Sequence, residues 1–330
     1  MSDRTVQWAP LVAGAVVLAV LPWIFTSSFL RATLVRFTIA LLLLTGLNFI
    51  AGYARMISLA QAGLFGVGAY TAAILATTYD VPPAVAFLMA PVVAVLVALP
   101  VGIPTLRLRG LYFVMATLGA GVVLFLLFGR LVGLTGGPNG LVGIPPLTIG
   151  AVSLSDELHL YYIGATLAFF GLVAARNLQR SSTGRALLAL GVSEPAALAA
   201  GVPVFRLRLV AFLLSAAYAG TAGALLTFET RFVSPSTFDF LEAVLLLVML
   251  TVGGMGTTIG PVIGAVLLIG LETGLQNYAE FQPLIVGIVF VLAIQALPTG
   301  IGGLIRRSFG QENRLRVLPL AKHQEATHGR

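Results

Sequence analysis

Few side chains in this sequence are equipped for chemistry, and their positions narrow what chemistry is open. The histidines are His159, His323 and His328, two of them in a polar tail, so an HExxH metal site is excluded. A histidine-based triad would have to use His159, which lies beside a loop. The only lysine is Lys322, also in the tail, so no glycine-rich turn carries the lysine that a P-loop requires. Cysteine is absent, which rules out disulfides and thiolate metal ligands and leaves the compartment unreadable from redox usage. Glu272 is the one acidic side chain well within an apolar stretch. It is either a coupling group of the sort that carries protons or sodium, or a residue near the outer mouth of its span that faces water or a neighbour. Catalysis is not expected, and neither is a metal or cofactor held by this chain.

A second set of polar residues sits where apolar ones would be ordinary. The stretch "GYARMISLAQAGLFGVGAYTAAIL", residues 52 to 75, contains Ser58, Gln61, Tyr70 and Thr71 among glycine and alanine. Thr117 occupies a comparable place in a later apolar run. An amide or hydroxyl facing lipid is costly, so each must find a partner or line a wet path. Interhelical bonding and a solute pathway are both open for all five.

The elements that must position these residues are membrane spans. The chain of 330 residues is 58% hydrophobic and 9% charged, and its mean hydropathy is +1.01. Since about 20 apolar residues cross the hydrocarbon core, cutting at polar breaks predicts an all-α integral membrane protein, a polytopic bundle of about ten transmembrane helices (8–10). The spans run approximately from Trp8 to Phe25, Val35 to Ala51, Ser58 to Thr78, Ala84 to Thr105 and Leu111 to Leu131. They continue from Leu160 to Ala174, Leu209 to Phe228, Ala243 to Gly253, Thr258 to Leu275 and Pro283 to Leu297. Residues 1–305 are expected to form a single transmembrane domain, followed by a polar basic tail at 306–330. With both termini cytoplasmic, most arginines fall inside, and only Arg31, Arg36, Arg130 and Arg231 fall outside. The net charge of +7 is thus explained by topology, and nucleic acid is not an expected partner.

Small residues recur four apart: Gly68, Ala72 and Ala76; Ala62 and Gly66; Ala216, Gly220 and Ala224; Gly256, Gly260 and Gly264. In lipid, such stripes let helices pack closely. Two connections are unusual. The outer one, about 132–158, begins "GLTGGPNGLVGIPP", with Gly136, Gly137, Asn139 and Gly140, and is either a gate or docking surface or a slack linker. The inner one, about 175–208, predicts two short helices: Arg185 to Leu190, and another N-capped by Ser193, with Glu194 and Pro195 in its first turn and Gly201 closing it. An arginine-rimmed helix outside the membrane is either an interfacial element or a handle for a cytoplasmic partner.

From about Leu47 to Ile305 the chain resembles the permease subunits of ATP-binding-cassette importers for branched-chain amino acids, more the LivM type than its LivH partner. The resemblance is carried, in order, by "GYARMISLAQAGLFGVGAYTAAIL", "LRLRGLYFVMATLG", "TGGPNGLVGIP", "TGRALLALGVSEPAALAAGVPVFRLRL" and "FVSPSTFDFLEAVLLLVMLTVGGMGTTIG". It implies a bacterial inner-membrane importer with a second homologous permease, two cytoplasmic ATPases that bind ATP and Mg, and an extracytoplasmic solute-binding protein. It also implies that the inner loop is an ATPase-coupling loop, matched by Glu194, Ala196, Ala197 and Gly201, with Pro195 a departure. Gln61 stands where the family often has histidine, and Pro298, Thr299 and Gly300 replace its usual motif near the last span. Relatives of this kind also carry urea or short amides. A stand-alone channel for small neutral solutes is the rival expectation; it predicts no ATPase partner.

Overall fold

Long apolar runs punctuated by capping residues and glycine-rich turns make the described residues mostly helical. The computed structural model describes residues 18–23, 27–149, 152–154, 156–275, 284–285, 287–288 and 300–302. Helix α1 (Ser28–Leu47) continues into a π-helical turn at Asn48–Tyr53 and is followed by α2 (Gln61–Thr77), α3 (Pro83–Thr105) and α4 (Leu111–Arg130). A connection holding α5 (Val132–Thr135), β1 (Leu141–Val142), β2 (Thr148–Ile149) and β3 (Val152–Ser153) leads to α6 (Glu157–Arg180). Then come α7 (Ser182–Val192), α8 (Glu194–Ala199), α9 (Val204–Thr230), β4 (Phe232–Val233), α10 (Phe240–Gly253) and α11 (Gly260–Leu275).

Among the described residues, five helical segments are long and apolar enough to cross a membrane: Ser28–Tyr53, Pro83–Thr105, Leu111–Arg130, Glu157–Arg180 and Val204–Thr230. Helices α2, α10 and α11 are apolar but shorter. The second to ninth expected spans coincide with these eight helices. The first and tenth, Trp8 to Phe25 and Pro283 to Leu297, lie largely outside the described residues.

The boundaries shift in two informative places. The expected span from Ser58 is helical only from Gln61, because residues 54–60 form a non-helical connection. Its backbone is satisfied there by a bond from Met56 N to the Ile50 carbonyl (2.9 Å). The stripe Gly256, Gly260, Gly264 does not lie on one helix face: Gly256 is in a turn with φ of +75°, and α11 begins at Gly260.

Burial separates the helices. In the apolar window of the α1 segment 83% of residues are buried, against 22% in α3 and in α4. So α1 is central, while α3 and α4 turn broad apolar faces outward, where lipid or another permease can cover them. Helix α9 runs beside α2 and α3. Ala86, Ala90, Ala94 and Ala98 form a fully buried stripe on α3. Where α2 crosses α9, a Cβ on Gly68 would overlap the backbone of Gly220, so the small-residue stripes expected from the sequence are the contact itself.

The antiparallel run of helices divides the connections between two ends. One holds residues 106–110, 181–203 and 254–259 and is rich in arginine; the other holds 131–153 and 231–239.

Candidate functional site

Gln61 opens α2 and is 2% exposed. Its Oε1 accepts a hydrogen bond from Ser215 Oγ on α9 (2.7 Å), and its Nε2 donates to the Leu43 carbonyl on α1 (3.3 Å). One amide therefore joins three helices. Ser58 is buried in the preceding connection, where its Oγ accepts from Ala60 N (3.4 Å). Thr117 on α4 accepts from Leu59 N (3.2 Å) and donates to the Val114 carbonyl (3.0 Å), which anchors the same connection.

Tyr70 and Thr71 lie elsewhere. The Tyr70 ring stacks on Phe128 with centroids 4.6 Å apart and meets Phe238 edge-on, while its buried hydroxyl has no partner among the described residues. Thr71 is half-buried and donates to the Val67 carbonyl of its own helix (2.7 Å). The five polar candidates thus fall into two groups: Ser58, Gln61 and Thr117 around the 54–60 connection, and Tyr70 and Thr71 two to three turns further along α2.

At the arginine-rich end, α8 is an ordered element with defined caps. Ser193 Oγ accepts from Ala196 N (3.4 Å) at its start. At its end Gly201, with φ of +74°, donates its N–H to the Leu198 carbonyl (2.9 Å), and Val202 N donates to the Ala197 carbonyl (3.0 Å). This paired arrangement is the Schellman termination, which places a left-handed residue just past the helix. Buried Ala197 joins Leu190, Val204 and Val202 in a small separate core, and Ala196 is exposed. Pro195 is accommodated in the first turn, where its missing N–H is no loss.

Glu194 fixes this loop to the bundle. Its Oε2 meets Arg208 Nη2 at 2.8 Å in the first turns of α9, and its Oε1 meets Arg109 Nη2 at 3.2 Å from the α3–α4 connection. The apolar side chains of Val192 and Leu198 remain 77% and 50% exposed beside it. An apolar patch of this kind, held on a rigid element and rimmed by charge, is suited to receive a partner surface.

The outer connection is also structured. Thr135 Oγ1 donates to the Phe128 carbonyl (2.7 Å) and accepts from Gly137 N (3.3 Å). Gly136, Gly137 and Gly140 turn the chain with positive φ, and Pro138 and Asn139 complete a 3-10 turn between them. Strand β1 then pairs antiparallel with β4, Leu141 opposite Val233 and Val142 opposite Phe232.

The sequence alone did not single out Asn48, Gln179, Ser215 or the arginine partners of Glu194. Asn48 Nδ2 donates to the Thr257 carbonyl (2.9 Å) and its Oδ1 accepts from Gly256 N (2.8 Å), while Gln179 Nε2 donates to the Gly256 carbonyl (3.1 Å). The available signal was an asparagine at the end of an apolar run, in "LLLLTGLNFIAGY". Glu272 lines an open cavity together with Arg36, Glu242, Thr230 and Thr237, at the end of the bundle that holds residues 231–239.

Apolar helices packed through small residues, with an ordered element outside them, define a multi-pass membrane protein. The family described as branched-chain amino acid transport system, permease component, matches residues 29–294, and the chain belongs to it. It is 30% identical over 337 residues to the high-affinity branched-chain amino acid transport system permease protein LivM of Escherichia coli (strain K12), covering 95% of this chain and 79% of that one. It is 31% identical over 279 residues to LivM of Salmonella typhimurium, covering 78% of this chain and 66% of the relative. The autoinducer 2 import system permease protein LsrC of Enterobacter sp. (strain 638) is 31% identical over 186 residues, covering 54% of this chain and 53% of LsrC. No solved structure matches the chain.

Proposed function

We propose that this chain forms half of the translocation path of an ATP-driven importer for branched-chain amino acids in the bacterial inner membrane. A second homologous permease supplies the other half. Two cytoplasmic ATPases, which bind ATP and Mg, dock on the 181–203 end, and an extracytoplasmic binding protein delivers solute to the end built from Gly136, Gly137, Asn139, Gly140 and β4. Both termini are then cytoplasmic.

The observation that carries this reading is α8, a six-residue helix capped at both ends and tied by Glu194 to both the α3–α4 connection and α9. A partner that pushes on Leu198 moves Arg208, and with it the helix that holds Ser215 against Gln61. ATP-driven closure of the ATPase pair would thereby reach the centre of the bundle through packed elements. The mostly apolar interior suits a branched aliphatic solute, because a path need not grip what a separate binding protein has already selected.

The test is recovery of the tagged protein from its native membrane in mild detergent, followed by mass spectrometry. Co-recovery of a P-loop ATPase and a second permease is the expected result. Recovery of the chain alone in repeated mild conditions would favour a stand-alone channel.

A further inference from the structure

A cavity of about 270 Å³ opens among α1, α2, α9, α10 and α11. That is slightly below the roughly 300–1,000 Å³ of drug-sized ligand pockets and is room for one small solute. Its floor includes Leu43, whose carbonyl accepts from Gln61, and Phe65, one turn above Gln61. Ile39, Leu226, Leu268 and Ile269 make the walls apolar.

Three charged groups line this space, Arg36 on α1, Glu242 on α10 and Glu272 on α11, beside the hydroxyl-bearing Thr230 and Thr237. Neither carboxylate has a hydrogen bond or ion pair among the described residues. Arg36 is held from behind: its Nε lies 3.5 Å from Glu229 Oε1, and the Glu229 side chain is only 8% exposed. The shortest approach of that pair is through Nε, and 58% of the Arg36 side chain is exposed. Charges in a low-dielectric span are expensive unless something pairs with them.

We propose that this cavity is a transient binding site for the zwitterionic head of an α-amino acid, with its ammonium on Glu242 and Glu272 and its carboxylate on the Arg36 guanidinium. A guanidinium matches a carboxylate with parallel hydrogen bonds, and two carboxylates supply the acceptors an ammonium needs. The aliphatic side chain then points down the apolar walls toward the Gln61–Ser215 bond. A zwitterion carries no net charge, so it supplies each of these groups with a partner of opposite sign without changing the charge of the site. This inference rests on the reading of the chain as an amino-acid permease.

The experiment is equilibrium binding of radiolabelled leucine to the purified permease–ATPase complex without its binding protein, alongside leucine uptake in cells. In the wild type, 4-methylpentanoate, which lacks the amine, and isoamylamine, which lacks the carboxylate, should each compete at least tenfold more weakly than leucine. The E242Q/E272Q variant should lose about tenfold in affinity for leucine and isoamylamine while binding 4-methylpentanoate unchanged. R36Q should lose about tenfold for leucine and leave isoamylamine unchanged. Equal competition by all three compounds in the wild type, which needs no variant to fold, would overturn the proposal, as would wild-type leucine affinity in assembled E242Q/E272Q. Wild-type uptake with no leucine bound by the complex overturns the subsite alone. Absence of leucine uptake by the wild type overturns the substrate reading and the subsite with it.

Discussion

Both ends of the Gln61 amide are engaged, to Ser215 on α9 and to the Leu43 carbonyl on α1. Interhelical hydrogen bonds in membranes contribute about 0.6 kcal/mol on average and up to about 2. A buried acceptor left unpaired adds to the cost, so Ser215→Ala is expected to destabilise the protein by about 1 kcal/mol, read as a lowered unfolding temperature in detergent. Gln61→Ala should cost a similar amount, and the double variant less than the sum, because both remove the same bond. Gln61→Ala should also reduce transport rate more than complex assembly. Equal loss of both would make the amide purely structural.

Among the elements, α8 offers the sharpest contrast. Gly201 has open space where a Cβ would stand, yet its φ of +74° is a conformation that side chains resist. Gly201→Val should therefore strain the helix end by about 1–2 kcal/mol and weaken ATPase recovery in a pull-down while leaving the bundle folded. Unchanged uptake and unchanged ATPase association would remove the coupling role from this loop. The two arginines on Glu194 should also differ. Arg208 is largely buried and Arg109 largely exposed, and exposed ion pairs contribute only about 0–1 kcal/mol. Arg208→Ala should impair ATP-driven uptake severalfold, and Arg109→Ala little, in vesicles with matched protein levels.

At the scale of the whole molecule, packing and topology are the testable properties. The α2–α9 crossing brings backbones together at Gly68 and Gly220, so Gly68→Val has no small movement that relieves it. Loss of folded protein on gel filtration is the expected outcome, since close packing replaces the hydrophobic drive that water would supply. The absence of cysteine makes orientation directly accessible. Asn139→Cys should react with an impermeant maleimide in intact cells, and Ala199→Cys only in inside-out vesicles. The reverse pattern would invert the proposed assignment of the two ends.

Much of this architecture was legible in the chain itself. Twenty-residue apolar runs must be helices in lipid, because a backbone without water has to satisfy its own hydrogen bonds, and the small-residue stripes of α2 and α9 mark where helices meet. Local chemistry also made α8 readable: Ser193, Pro195 and Gly201 are cap and stop residues whose preferences act within a few positions. The helical break at 54–60 was hidden, because it depends on partners from outside the stretch, such as the Thr117 hydroxyl that receives Leu59 N. The same holds for Asn48 with residues 256 and 257, for Glu194 with Arg109, and for the gathering of Arg36, Glu242 and Glu272 around one cavity. Composition and periodicity determined that helices form and which faces are small. Which polar groups meet was decided only when the helices packed, since a long-range pair leaves no periodic trace in the sequence.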